Sequence, residues 1–196
     1  MTLGEAETLF LDLLKSLEPM AANPWPFLCA SALVEYLTKM VNGGPSGAQK
    51  YKQFVKTYLA GVDPRYKAFT YAGGQQDLPV QMYHVLRCGI VHSFSLIPDA
   101  TATASGGRTR SIVIAHEGRH LSPYRENGTD AALLVLHDFV MNLENVIKQS
   151  FLAANTDARL RANIEKHLRD HPPIQVLSTG SATKGLVSSA VKPVSG

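Results

Sequence analysis

The chain has 196 residues but only two cysteines, one tryptophan, and no apolar run long enough to cross a bilayer. Cys29 and Cys88 stand far apart in helical patterns, which argues against a disulfide framework and for reduced thiols. Charge of either sign is also modest: charged residues make up 18% and the net charge is +3, too little to define a nucleic-acid partner by itself. Glu5, Glu7 and Asp12 occupy the positions where a secretory signal would need positive charge and an unbroken apolar stretch, so a cytoplasmic protein is expected. No DNA sequence-reading motif is present. Hydrophobic residues at 45% are ordinary for a globular chain. One helical domain is expected over residues 1–177. A Ser/Gly/Thr/Ala-rich tail at 178–196 cannot build a core and is expected to be flexible or bound to a partner.

The basic residues are unevenly placed. Lys50, Lys52, Lys56, Arg65 and Lys67 face only Asp63 in their stretch, and Arg108, Arg110, Arg119 and Arg125 face only Glu117 and Glu126. Local basic patches and ordinary solvated faces both fit this pattern.

Taken in order, Thr2 and Glu5 form a capping-box start, and Leu9, Phe10, Leu13, Leu14 and Leu17 give the first apolar stripe, up to Pro19. Asn23-Pro-Trp-Pro restarts the chain. Ala30, Leu33, Val34, Leu37, Met40 and Val41 then keep helical spacing until Gly43-Gly44, with Trp25 expected to pack as a staple. Ser46 opens a third amphipathic helix with Tyr51, Phe54, Val55, Tyr58 and Leu59 inward, ending at Gly61. Asp63-Pro64 predicts a turn, and Tyr71-Ala-Gly-Gly a loop. Residues 98–107 lack periodicity and read as a mobile loop. Residues 110–116 and 119–124 read as a small β-hairpin around Glu117-Gly118. After Asn127-Gly128, Thr129 or Asp130 caps the longest helix, carried by Leu133, Leu136, Val140, Leu143 and Ile147 and expected to pack lengthwise on the helix at 78–94. A charged helix at 157–170 ends at His171-Pro-Pro. The fold class is therefore mainly α, a bundle of about five or six helices with a small β-hairpin insertion.

The stretch that concentrates chemistry is 78–94. Asp77 is its N-cap and Pro79 sits in its first turn, while Met82, Leu86 and Ile90 keep helical spacing. Into this apolar helix the sequence places Arg87, Cys88, His84 and His92. A guanidinium there must be paired or hydrogen-bonded, because an unpaired buried charge costs more than a fold tolerates. Arg87 and His92 lie five apart, about 140° around a regular α-helix, so Gly89, fraying after Val91 or a second subunit would have to bring them together. An arginine stabilises charge on a phosphoryl group, and a histidine moves protons near neutral pH.

Arg87-Cys-Gly-Ile-Val-His92, on a late helix and followed by a polar loop and one more long helix, resembles the Arg-x4-6-His signature of HEPN domains. The similarity in element order, through "HDFVMNLENVI", extends over roughly residues 3 to 153. The resemblance implies an antiparallel HEPN-like helix bundle and a metal-independent ribonuclease of a defence or toxin type. It also implies a homodimer that joins both Arg-His pairs in one cleft, with no cofactor. Arg87 and His92 would be catalytic, and Tyr83, His84, Cys88 and Ser93 would contact substrate. Cys88 stands where catalytic members often carry Asn or Asp, and this keeps open a non-catalytic RNA- or nucleotide-binding or regulatory module.

His116-Glu-Gly-Arg-His120 matches the HExxH pattern of zinc hydrolases, in which His116 and His120 would bind zinc, Glu117 would activate water, and Glu144 is the one third ligand on offer. The preceding Ile-Val-Ile, the central glycine and Pro123 favour a strand and turn instead. His84, Cys88 and His92 recur every four residues, but one helix seldom supplies three ligands. A Cys88–His92 dyad lacks an orienting carboxylate. His137, His167 and His171 read as surface or helix-end residues.

Overall fold

The computed structural model describes residues 1–20, 24–71, 74–93, 112–126 and 129–173, with 69–71, 74–76, 90–93, 126 and 129–130 in backbone only. The expected loop at 98–107 and tail at 178–196 lie outside them.

Helix α1 (Leu3–Leu17) starts at the capping box: Glu5 N donates to Thr2 Oγ1 at 3.2 Å and Thr2 N to Glu5 Oε2 at 2.7 Å. It buries Ala6, Phe10, Leu14 and Leu17, whereas Leu13 is exposed. Helix α2 (Trp25–Asn42) has Pro26 in its first turn and stops at Gly43, whose φ of 65° ends the helix in the left-handed region. Trp25, at the entry to this helix, stays 51% exposed. Helix α3 begins as Ala48–Phe54, widens into π-helical Val55–Leu59 and closes as Ala60–Val62. Asp63 caps a single 3₁₀ turn at Pro64–Tyr66, as the Asp-Pro pair predicts.

Strands β1 (Phe69–Tyr71) and β2 (Gly74–Gln76) pair antiparallel where a loop was expected. Helix α4 starts as Leu78–Gln81, capped by Asp77, and continues as π-helical Met82–Ser93. Three more strands follow: β3 (Ile112–Ala115), β4 (Pro123–Glu126) and β5 (Thr129–Val135). Helices α5 (Leu136–Ala153) and α6 (Ala158–Asp170, capped by Asp157) complete the described chain. The protein is thus mainly helical, with six helices, a two-stranded sheet and a small three-stranded sheet among the described residues.

The β region corrects the expected hairpin. β3 and β4 do not pair with each other; both flank β5, β3 parallel to it and β4 antiparallel. β5 consists of residues expected to open the longest helix, so α5 begins at Leu136 and not at Thr129 or Asp130. Leu133 and Leu136 suggest one helical stripe by spacing alone, yet they belong to different elements. The pairing of Glu126 with Thr129 makes Asn127-Gly128 the link between β4 and β5, a dipeptide that favours tight hairpins.

The expected lengthwise packing of the longest helix on the helix at 78–94 is also corrected. α5 runs chiefly along α1, antiparallel to it, with Phe151 against Phe10 at one end and His137 against Glu18 at the other. α4 with its π-helical continuation and α6 pack instead on α2. The cause lies in α2, which buries Phe27, Ala30, Ser31, Leu33, Val34, Leu37, Thr38, Met40 and Val41. A helix apolar on so much of its circumference takes neighbours on several sides and keeps the other two apart.

Candidate functional site

Arg87 does not stand alone in the apolar helix. Its Nε donates to Glu35 Oε2 at 2.9 Å and its Nη2 to Glu35 Oε1 at 3.3 Å, so a two-pronged ion pair ties α4 to the middle of α2. Lys39, one turn after Glu35, approaches the same Oε1 at 3.1 Å, and Ser46 Oγ donates to it at 3.2 Å. Burial opposes the charge on Glu35, but hydrogen bonds from Arg87 and Lys39 outweigh it and hold the carboxyl down to about 2. The same bonds push Arg87 further up and keep it cationic. One carboxylate against two cations leaves the cluster with a positive surplus.

The guanidinium is oriented without being used up. Five N–H groups are available to an arginine, and Glu35 takes two. Nη1 turns toward Cys88 Sγ at 4.0 Å, a weak contact. Tyr83 supports this edge, with its ring centroid 5.6 Å from Arg87 Cζ and 5.5 Å from Lys52 Nζ. Tyr51 meets Tyr83 edge-on at 5.6 Å, and its hydroxyl is buried without a hydrogen-bond partner among the described residues. Burial first, then the Glu35 charge, pushes that phenol up. His84 is half-buried, its ring edge-on to Tyr83 at 5.2 Å.

The π-helical backbone changes how positions 87 and 92 relate. A π-helix bonds residues five apart and winds more loosely than an α-helix, so five residues make a little over one turn and position 92 lies closer around the axis to position 87 than the about 140° of an α-helix. Backbone geometry thereby brings the two positions nearer to one side of the helix without the fraying expected after Val91. The His92 and Ser93 side chains lie outside the described residues.

The zinc reading of His116, Glu117 and His120 does not survive the local structure. β3 ends at Ala115, residues 116–118 bend, and Gly118 sits at φ 114°, so no helix places the histidines a turn apart. His116 is exposed, whereas His120 is 4% exposed with both ring nitrogens engaged. Val135 N donates to Nδ1 at 3.1 Å, which leaves the proton on Nε2 to face Tyr66 Oη at 2.9 Å. Burial drives His120 down to about 4. Glu144 pairs with Lys148 on its own helix. Among the described residues no group of three or more His, Cys, Asp or Glu can hold a metal ion.

Of the first basic stretch, Lys56 pairs with Asp77 at 2.6 Å and Arg65 with Asp63 at 2.6 Å, leaving Lys52 beside Tyr83 as its contribution to the site. Arg108 and Arg110 lie outside the described residues. Glu35 and Lys39 were missed in the sequence because they fall between the apolar positions of α2. A signal existed: a buried arginine requires a carboxylate, and Glu35 is the sole acidic residue in α2. No helix among the described residues is long and apolar enough to cross a membrane. No family model, curated protein or solved structure matches this chain.

Proposed function

We propose that Arg87 and His92 form a phosphodiester site of the HEPN kind, and that the chain binds and cleaves RNA without a metal ion. The observation that carries this reading is the Arg87–Glu35 fork: it fixes the guanidinium while leaving N–H donors for a phosphate oxygen. The π-helical winding, which brings position 92 nearer to the side of position 87, adds support. In the reaction, His92 withdraws the 2′-hydroxyl proton or protonates the leaving 5′-oxygen, and Arg87 stabilises the pentacoordinate phosphorane. Tyr83 offers a ring on which a base stacks, with Lys52 beside it for the backbone. A homodimer bringing two such pairs into one cleft belongs to the same proposal.

A second reading, a non-catalytic RNA- or nucleotide-binding module, is favoured by Cys88 next to the arginine Nη1. The experiment is cleavage of a mixed RNA in EDTA by the wild type, Arg87→Lys and His92→Ala, each checked for folding by circular dichroism. Cleavage lost in both folded variants supports the ribonuclease. RNA binding without cleavage supports the module, and absence of both binding and cleavage overturns the site.

A further inference from the structure

One stripe of α2 lies open to solvent although it carries no charge. Trp25, Cys29, Ala32 and Tyr36 follow one another at spacings of four, three and four, so they share one side of the helix. Trp25 is 51% exposed, Cys29 and Ala32 are exposed, and Tyr36, at the far end of the stripe, is half-buried. The two middle side chains are small, which lets another backbone lie close over them.

The chain leaves α6 at one end of this stripe. The two helices run antiparallel: Asn163 Nδ2 donates to the Val41 carbonyl near the end of α2, and Tyr36 Oη, earlier in α2, donates at 2.6 Å to the His171 carbonyl just past the end of α6. An edge-on contact of Tyr36 with the His167 ring at 4.8 Å holds the same end. The direction of α6 is therefore from Tyr36 toward Trp25. Pro172-Pro173 follows, a pair that cannot continue the helix and keeps the backbone extended. Pro173, the last described residue, is half-buried, so the chain stays against the body as it leaves. Ile174-Gln-Val176 comes next, with its apolar residues at alternate positions.

The lengths agree as well. Tyr36 to Trp25 is eleven residues of α2, about 16 Å at a rise of about 1.5 Å per residue. An extended chain starting at His171 covers that distance in about five residues at about 3.3 Å each, which brings Ile174 level with Cys29 and Val176 level with Trp25. We infer that residues 174–176 lie extended along the Trp25–Tyr36 stripe as a strap, with Ile174 and Val176 facing α2 and Gln175 facing solvent. Successive side chains of an extended chain point to opposite sides, so the alternation suits one apolar contact face. The two prolines restrict the chain beforehand, which lowers the entropic cost of seating it. The strap stands without the RNA reading above.

The test uses the full chain. Trp25 is its sole tryptophan, so indole emission and quenching by acrylamide report on this stripe alone. In Ile174→Ser/Val176→Ser, emission should move to longer wavelength and quenching should increase, because the apolar cover leaves the indole. Unchanged emission and quenching would overturn the strap. Shielding of Trp25 that grows with protein concentration and survives the double variant also overturns it, and assigns the face to a second copy. Register supplies an independent check, whatever the double variant does to folding. In a Cys88→Ser background, Ile174→Cys should form a disulfide with Cys29 under diamide faster than Gln175→Cys does, since bridging needs converging Cβ positions. Both new cysteines hang on the same tether. Equal rates would therefore mean that tethering alone brings them to Cys29, and the strap would be overturned.

Discussion

The Arg87 guanidinium meets the Glu35 carboxylate fork to fork, at 2.9 and 3.3 Å, across the contact between α4 and α2. This pair is half-buried, with side-chain exposures of 23% and 14%, so each member depends on the other.

Glu35→Gln is expected to destabilise the fold by about 2 kcal/mol, since it strands a partly buried cation. Urea denaturation at neutral pH measures it. The pH dependence has a fixed sign. The folded carboxyl titrates at about 2 and its ordinary value is 4.5, so between them the unfolded chain holds more protons. The Glu35 contribution is complete above 4.5 and is lost as pH falls toward 2. The wild-type urea midpoint should fall over that window more steeply than that of Glu35→Gln.

His120 sets a second window at higher pH. Its folded value of about 4 lies below the ordinary 6.5, so its contribution is complete above 6.5 and lost as pH falls toward 4. His120→Ala should cost about 2 kcal/mol because the Val135 N–H loses its acceptor. Thermal melts at pH 7.5 and 5 check both statements. Zinc added at pH 7.5 should leave the His120 ring signals in place, both nitrogens being engaged.

Tyr83→Leu removes the ring beside Lys52 and Arg87 while keeping apolar volume. RNA affinity should fall about fivefold, in line with about 1 kcal/mol for an exposed cation–π and stacking contact. Fluorescence anisotropy with a labelled oligonucleotide reads it, and the urea midpoint should move little.

Gly43→Ala should destabilise by at least about 1 kcal/mol, because φ is 65° and the new Cβ would strike the Asn163 side chain. Asn163→Ala loses the bond from Nδ2 to the Val41 carbonyl, 2.9 Å, and clears that space. The double variant should therefore lose less than the two single losses added, which a double-mutant cycle in urea measures.

The helix stripes were legible because period and caps are local. Thr2 with Glu5, Asp77 before Pro79, and Gly43 after Val41 mark real helix ends. The β5 strand was not, since Leu133, Leu136 and Val140 fit a helical period although a strand ends at Val135. Pairing with β3 and β4 satisfies the backbone there, and although β4 directly precedes β5, the β3 partner lies well upstream in the sequence. In the HEGRH stretch, tertiary contacts decided against the pattern: the Tyr66 hydroxyl and the Val135 N–H take up both His120 nitrogens.

By itself the sequence determined that Arg87 needs a partner, because charge and burial are properties of residue type and spacing. Which carboxylate answers Arg87 was decided by tertiary structure. Glu35 lies 52 residues away and meets Arg87 only when α4 packs on α2.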